Sequence, residues 1–266
     1  MAEGDWANYW RAPDRPLEAM HAHFERHVYH RHSHDTYSFG VTEAGAQAFT
    51  CRGAARTSAA GMVMAFNPDE PHDGHPAIAD GFTYRIVHIG PELIRDVLGD
   101  AAQRPVGLPL FVEPVLTDAV LAGALRRLHA AFADSGLAQD EALGATVRAL
   151  VGRGATRPVR SRALPVGVRR VRELLDAEYA RDLRADDLAE AAGCSRYALH
   201  RGFVTAYGMA PSDYQRQVRL REARRLLATG APPADAALAA GFADQAHLTR
   251  WFKRCYGVTP GVFQRP

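Results

Sequence analysis

Residues 193–211 read GCSRYALHRGFVTAYGMAP, and residues 241–260 repeat the pattern as GFADQAHLTRWFKRCYGVTP. Six residue types recur at a constant offset of 49 positions: Leu199 and Leu248, Arg201 and Arg250, Phe203 and Phe252, Tyr207 and Tyr256, Gly208 and Gly257, Pro211 and Pro260. A short alanine-rich segment and a glycine precede each copy. Short helix, glycine-containing turn and second helix with an arginine on its polar face are typical of a helix-turn-helix. Two such motifs predict a chain that reads DNA.

The second helix of each motif is expected to bury one face and to present the other to the major groove. Leu199 and Phe203 supply the buried face in the first copy, and Leu248 and Phe252 supply it in the second. An arginine discriminates guanine by ~1–3 kcal/mol through paired hydrogen bonds. The predicted DNA-binding residues are Arg196, Tyr197, His200, Arg201, Gln245, Ala246, His247, Thr249, Arg250 and Lys253. Ser195 and Asp244 are expected to cap the two helices.

A single long helix is predicted between the motifs, over residues 212–228, ended by Gly230. Its length of roughly 25 Å would hold the two recognition helices about one DNA turn apart, ~34 Å, so that one chain reads two successive grooves. Further helices are predicted over residues 168–179, 185–192, 234–240 and 260–264.

Length and charge divide the chain into two parts. Its 266 residues are enough for two domains. Residues 1–152 carry a net charge of −7 and residues 153–266 one of +9, as expected when a DNA-binding module follows a domain that does not bind DNA. The three cysteines have no CxxC spacing, which argues against a disulfide framework and a zinc finger. With no signal peptide and no membrane-length apolar stretch, the predicted location is the cytoplasm.

The N-terminal part is predicted to be a sheet domain closed by helices. Short apolar runs at residues 27–30, 37–42, 47–50, 62–66 and 82–89 are separated by Gly, Pro, Asn or Asp, which favours a sandwich or small barrel. Helices are predicted over residues 115–132 and 139–151. The predicted domains are residues 1–152 and 166–266, joined by a Gly-, Pro- and Arg-rich linker over residues 153–165. The fold class is α+β with two domains.

The C-terminal hundred residues, 166–266, resemble the AraC/XylS-type DNA-binding domain of bacterial transcription regulators. The resemblance is carried by Leu188-Ala189, Ser195, Leu199, Phe203, Gly208, Pro211, Arg219, Ala223, Leu226-Leu227, Gly241-Phe242, Phe252-Lys253, Gly257 and Thr259-Pro260. It implies that Tyr197, His200 and Arg201, then Gln245, Ala246, His247 and Arg250, face bases. Two residues depart from the pattern of this family. Gly202 costs a helix ~1 kcal/mol relative to alanine, and Ala246 offers only apolar contact.

Most of the histidines lie in the N-terminal part. His30, His32 and His34 alternate, which predicts one strand face, and His72 and His88 follow other runs. Together with Gly45 and Gly61 they resemble the cupin-like sensory β-barrel found ahead of such DNA-binding domains. The predicted ligand-binding residues are His32, His34, Tyr37, Phe66, His72, Tyr84 and His88, because apolar walls with a few convergent polar groups suit a small molecule. An ordinary aromatic core is the alternative for each residue.

A metal site at His32, His34 and His72 is a second, less favoured interpretation. Metal cupins carry a glutamate where this chain has Phe39, and Glu43 lies four residues farther along. We therefore predict no metal and no required cofactor. Trp6, Tyr9 and Trp10 form either an arm over the pocket or a segment packed on the barrel.

These observations predict a ligand-responsive transcription regulator without enzymatic activity. Its expected partners are double-stranded DNA, a small-molecule effector whose identity is open, and RNA polymerase. The helices within residues 115–151 are expected either to form a homodimer or to contact the DNA-binding domain. The alternatives are a metal-dependent cupin enzyme fused to a DNA-binding domain, and a regulator whose N-terminal domain serves only protein contacts.

Overall fold

The computed structural model describes residues 4–102, 107–156 and 165–265. The chain divides into two compact units: the first comprises Met1–Val28 and Ser33–Arg160, and the second comprises Tyr29–His32 and Ser161–Pro266. A mostly β unit and a unit that is helical apart from Tyr29–His32 confirm the predicted fold class. The predicted linker differs at its start, because Arg153 still belongs to a helix and Thr156 forms an isolated bridge with Leu110. Residues 157–164 lie outside the described residues.

Within the described residues, nine strands form the sheet. They are β1 (Trp6–Arg11), β2 (Leu17–Phe24), β3 (Tyr29–His32), β4 (Tyr37–Cys51), β5 (Ala54–Ala59), β6 (Val63–Phe66), β7 (His72–Pro76), β8 (Phe82–Ile89) and β9 (Val115–Leu116). The main path runs β1-β2-β8-β4-β6-β9 in antiparallel pairs. The first half of β4 pairs with β6 and β8, and its second half pairs with β5 and β7. This long strand therefore joins both parts of the sheet.

Two predicted elements of the first unit need correction, and one open alternative is decided. The runs at residues 37–42 and 47–50 are one strand, since a bulge between Thr42 and Ala44 and a positive φ of 70° at Gly45 let β4 continue. The helix predicted from residue 115 begins only at Ala119, because Asp118 caps its amides and the preceding residues form β9. The N-terminal aromatic segment is β1, paired with β2, so it packs on the sheet.

Helices α1 (Pro91–Ala102), α2 (Ala119–Ala130) and α3 (Gly136–Arg153) complete the first unit, with a short 3₁₀ turn at Ala131–Ala133. They bury one sheet face: Phe39, Val41, Val63, Val87 and Ile89 pack with Phe111, Leu121, Leu125, Leu128, Leu143, Val147 and Leu150. Burial of such apolar area stabilises by about 25 cal/mol per Å². The helices therefore shield one side of β4 and β8, and the alternate side chains of these strands point to the other side.

The described part of the second unit contains seven helices: α4 (Val166–Ala177), α5 (Ala185–Ala192), α6 (Arg196–Tyr207), α7 (Pro211–Ala228), α8 (Pro233–Ala239), α9 (Gln245–Tyr256) and α10 (Pro260–Gln264). The spans predicted for α4, α5, α7, α8 and α10 are confirmed to within two residues. The predicted caps are confirmed, since Ser195 accepts from the amide of Ala198 at 3.2 Å and Asp244 accepts from that of His247 at 2.6 Å. Such caps satisfy amides that a helix start leaves unpaired.

The connecting helix α7 is fixed at both ends by side-chain hydrogen bonds. At its N-terminal end, Gln215 and Arg219 each donate to the carbonyl oxygens of Tyr179 and Arg181, at 2.7–3.1 Å. At its C-terminal end, the amide of Gln264 donates to the carbonyls of Leu227 and Ala231. With 18 residues, α7 spans roughly 27 Å at 1.5 Å per residue.

The packing of α6 on α4 explains why Gly202 occurs inside a helix. A Cβ placed on Gly202 would lie 3.1 Å from Cγ2 of Val168 on α4, which is closer than an ordinary carbon–carbon contact. The ~1 kcal/mol that glycine costs a helix is therefore offset by the close approach of the two helices.

Candidate functional site

The two recognition helices, α6 and α9, bury the faces that the repeat predicts. Leu199 and Phe203 are 3 % and 0 % exposed, and Leu248 and Phe252 are both 0 % exposed. The opposite face presents the predicted DNA-binding residues. Arg196, His200, Arg201, Gln245, Ala246, Arg250 and Lys253 are exposed, and His247 and Thr249 are half-buried. The side chain of Tyr197 lies outside the described part of the chain.

Local contacts orient two of these residues. The guanidinium of Arg196 forms an ion pair with the carboxylate of Asp186 on α5, between side chains that are 64 % and 67 % exposed. The ring of His247 meets Phe242 edge-on, with 5.3 Å between ring centroids. Contacts of this kind limit the rotamers of side chains that must reach base edges.

The predicted histidines of the first unit lie close together on the sheet face opposite the helices. The ring centroid of His34 is 4.8 Å from that of His88 and 5.3 Å from that of His72. His72 stacks on Phe66 at 3.9 Å and donates from Nδ1 to the carbonyl of Glu70 at 2.9 Å. Buried Tyr84 also belongs to this side, next to Phe82 at 5.3 Å. The cluster places polar imidazoles among aromatic rings.

One predicted ligand-binding residue lies elsewhere. Tyr37 belongs to the core under the helices, where its ring stacks with Phe39 and its hydroxyl donates to the carbonyl of Pro109 at 2.7 Å. Burial raises the pKa of this hydroxyl to about 12. Strand alternation explains the correction, since Ser38, one residue on, turns to the opposite face. The hydroxyl of Ser38 shares a hydrogen bond of 2.8 Å with Nδ1 of His88. Alternation along the strand could therefore have predicted Ser38 as a residue of the histidine cluster.

The predicted row of three histidines on one strand face is also wrong. Strand β3 ends at His32, so His34 lies beyond it, and His30 is exposed whereas His32 is buried. The chain turn nevertheless brings the candidate ligand atoms of His32, His34 and His72 within 4.8 Å of one another. The Nδ1 groups of His32 and His72 each donate to a backbone carbonyl, at 2.7 and 2.9 Å. Such bonds commonly orient imidazoles that bind metals.

Neither candidate carboxylate position completes this histidine set. Phe39 is fully buried under the helices. Glu43 instead accepts three hydrogen bonds of 2.8–3.0 Å from Arg126 on α2, and these bonds raise the pKa of that guanidinium. The three imidazoles alone fit a nitrogen-ligated transition metal such as zinc.

Comparison with known families decides the identity of both units. The family model for the AraC-like ligand binding domain matches residues 16–151, and a helix-turn-helix domain model matches residues 188–266. The chain belongs to the AraC family of transcription regulators. As in that family, a ligand-binding domain precedes a DNA-binding domain with helix-turn-helix motifs.

Curated relatives agree with this assignment. The chain is 29 % identical over 224 residues to the uncharacterized HTH-type transcriptional regulator YbfI of Bacillus subtilis, which covers 82 % of this chain and 80 % of that protein. It is 38 % identical over 85 residues to the transcriptional activator NphR of a Rhodococcus species, covering 32 % of this chain and 25 % of that protein. Another relative, AdaA of Bacillus subtilis, is named as both a transcriptional activator and a DNA repair enzyme.

Solved structures of ToxT from Vibrio cholerae share the two-domain fold. One aligns with a TM-score of 0.60 at 14 % identity, covering 98 % of this chain and 99 % of the other. A second, bound to an unsaturated fatty acid, aligns with a TM-score of 0.59 at 11 % identity, covering 98 % and 96 %. Among the described residues, no helix combines the length and apolar character needed to cross a membrane.

Proposed function

We propose that this AraC-type regulator binds a specific DNA site by placing α6 and α9 in two successive major grooves. The observation that carries this proposal is the matched position of Arg201 and Arg250. Both are exposed, both lie two residues before a fully buried phenylalanine, and both belong to helices with confirmed caps. Arginine at such a position suits paired hydrogen bonds to guanine.

The test starts from the DNA site that purified full-length protein selects out of a random duplex pool. Arg201→Ala or Arg250→Ala should weaken binding to that site by about tenfold or more, since a bidentate pair discriminates by ~1–3 kcal/mol. Arg56→Ala on strand β5 is the matched control, because Arg56 is exposed and its guanidinium donates to the neighbouring carbonyl of Ala55. Unchanged affinity in both recognition-helix variants, with unchanged circular dichroism, would refute the assigned roles.

For the effector, we infer an apolar molecule with an acidic group, bound beside the histidine cluster of the first unit. His34, His72 and His88 supply polar nitrogens beside the ring of Phe66. One ToxT structure of the same fold holds a fatty acid, which makes unsaturated fatty acids the first probes. Saturating ligand at 100 times Kd stabilises by ≈ 2.7 kcal/mol, so the melting temperature should rise. The rise should be lost in His88→Leu and kept in His75→Ala, an exposed histidine of β7.

A metal ion is the second candidate effector, favoured by the convergence of His32, His34 and His72. A zinc ion held by three neutral imidazoles would keep its positive charge. It would also keep a fourth coordination position, which an anionic ligand could occupy. Metal analysis of protein purified without chelator tests it: one zinc per chain that disappears in His34→Ala supports this candidate, and metal-free protein that binds no added zinc excludes it.

We further infer that the chain regulates transcription without catalysing a reaction. We infer that it acts in the bacterial cytoplasm, where chromosomal DNA is found. We also infer that it forms a homodimer through α2 and α3. Val120 on α2 and Leu137 on α3 are 52 % and 69 % exposed, and exposed apolar side chains are common at interfaces. RNA polymerase is the further partner expected of an activator. Light scattering of wild-type protein and of Leu137→Asp tests the dimer.

A further inference from the structure

Strand β3 belongs to one domain by its sequence and to the other by its contacts. Its residues, Tyr29–His32, fall within the stretch that matches the ligand-binding domain, residues 16–151. By its contacts, however, the strand belongs to the unit formed by the DNA-binding helices. It contacts that unit at two places, one on each recognition helix.

The first contact is made by Arg31. Its Nε–H donates to the carbonyl oxygen of Gly208 at 3.1 Å, in a partly buried setting. Gly208 ends α6 in the left-handed conformation, with φ 71°. The carbonyl groups at a helix end lack partners within the helix and carry partial negative charge, so a cationic donor is favourable here. Arg31 therefore holds the C-terminal end of the first recognition helix.

The second contact is made by His30. Its ring meets Trp251 of α9 edge-on, with 5.2 Å between centroids and 88° between planes. Aromatic pairs favour this geometry. The same indole receives the guanidinium of Arg216 from α7 at 3.8 Å and that of Arg254 at 5.1 Å. His30 therefore joins a cluster that already connects the second recognition helix to the connecting helix.

We propose that His30 and Arg31 form a bridge that fixes the spacing of the two recognition helices, and so sets how strongly the two DNA half-sites cooperate. Helix α7 is one connection between the motifs, and the bridge is a second one that bypasses it. The bridge restrains the two recognition helices directly, in addition to the contacts that α7 makes with both of them. The inference rests on the proposed reading of two grooves by α6 and α9.

The bridge also lies where an effector can act on it. His32 and His34, both predicted ligand-binding residues, follow Arg31 by one and three positions. The Arg31–Gly208 bond is already 3.1 Å long, so a displacement of about half an ångström takes it beyond useful hydrogen-bond length. An effector that contacts His32 and favours a position of β3 in which this bond is broken would therefore weaken the cooperation between half-sites.

The experiment measures affinities of the full-length chain for three duplexes: the selected site, and two versions with one half-site randomised. The bridge is removed by His30→Ala or by Arg31→Met, which keeps the length of the stem. Arg31→Met should bind the complete site about tenfold more weakly, as expected for a lost hydrogen bond to a charged group. His30→Ala should weaken it by about threefold to tenfold, as expected for a lost aromatic pair. Affinities for the single half-sites should stay unchanged in both variants. His30→Phe should retain wild-type affinity, because it keeps the edge-on contact with Trp251.

His75→Ala and Arg56→Ala, exposed residues of β7 and β5, are the matched controls and should bind all three duplexes as wild type does. In a chain carrying Trp6→Phe and Trp10→Phe, Trp251 is the remaining tryptophan, and its fluorescence should change on His30→Ala. Unchanged or increased affinity for the complete site would overturn the proposal, as would an equal loss on all three duplexes. Failure of the DNA-reading role is separate, since it would appear as wild-type affinity in Arg201→Ala and Arg250→Ala.

Discussion

The two helix-turn-helix motifs share one exposed arginine, Arg201 in the first and Arg250 in the second, but differ at the residue that follows it. The first motif has Gly202 there and the second has Trp251, at the same offset of 49 positions. The glycine lets α6 approach Val168 on α4. The tryptophan instead forms a platform for Arg216 of α7 and His30 of β3. Position 202 is thus used for close helix packing and position 251 for contacts between elements.

This difference separates two demands that a repeated motif must meet. The exposed arginines, the caps and the buried Leu and Phe pairs are the same because they serve the helix-turn-helix itself. Gly202 and Trp251 instead face the neighbouring elements, which are α4 for the first recognition helix and α7 and β3 for the second. The motifs therefore match at the exposed arginine and differ in their contacts with the rest of the protein, and exchange of single residues between them should expose that difference.

The largest expected effect comes from transferring the tryptophan. Gly202→Trp should destabilise the C-terminal domain by about 3 kcal/mol, the upper end for overpacking, because even a Cβ lies 3.1 Å from Val168. Denaturant unfolding followed by circular dichroism measures the loss. Val204→Trp, at an exposed position of the same helix, is the control and should cost little. Comparable stabilities for the two variants would show that close packing of α6 on α4 is not required.

A smaller difference is expected between the turn glycines. Both have positive φ, 65° at Gly193 and 82° at Gly241, and this conformation costs other residues roughly 1–2 kcal/mol. At Gly241 a Cβ would also lie 2.6 Å from Cα of Ala180, whereas at Gly193 no atom lies within 4 Å. Gly241→Ala should therefore lower the melting temperature more than Gly193→Ala. Equal shifts would contradict the asymmetry.

The smallest effect concerns the caps. Ser195→Ala and Asp244→Ala should each cost about 1 kcal/mol. Asp244 should cost more, because its carboxylate accepts at 2.6 Å rather than 3.2 Å and carries a charge that the helix N-terminus favours. Urea unfolding at low and high salt measures this, with Asp244→Asn as the control that keeps the cap. A larger loss at Ser195 would reverse the proposed order.

The helices of the DNA-binding unit were predictable because their boundaries are local. Ser195 and Asp244 begin recognition helices, Pro211 and Pro233 occupy first turns, and Gly208 ends α6. Each of these signals acts within a few residues. What the sequence did not reveal was the reason for Gly202, since Val168 is distant in sequence and adjacent only after folding.

The sensory unit was predicted less well because its strands depend on distant partners. A bulge near Thr42 lets one strand continue where a glycine in the sequence suggested a break between two strands. The two residues of β9 were predicted to be helical because they directly precede α2. The histidine cluster was found in outline from His34, His72 and His88. Tyr37 was misplaced because the strand's register relative to the helices, which decides its face, is a property of the folded sheet.

The hydrogen bonds at both ends of α7 have a consequence for the architecture of target promoters. Gln215 and Arg219 anchor α7 to the loop between α4 and α5, and Gln264 of α10 anchors its C-terminal end. One additional base pair between half-sites moves them about 3.4 Å apart and turns one away from the other along the helix. A rod anchored in this way accommodates neither change, so the genomic sites of this regulator should have a constant spacer length even where their base sequences diverge.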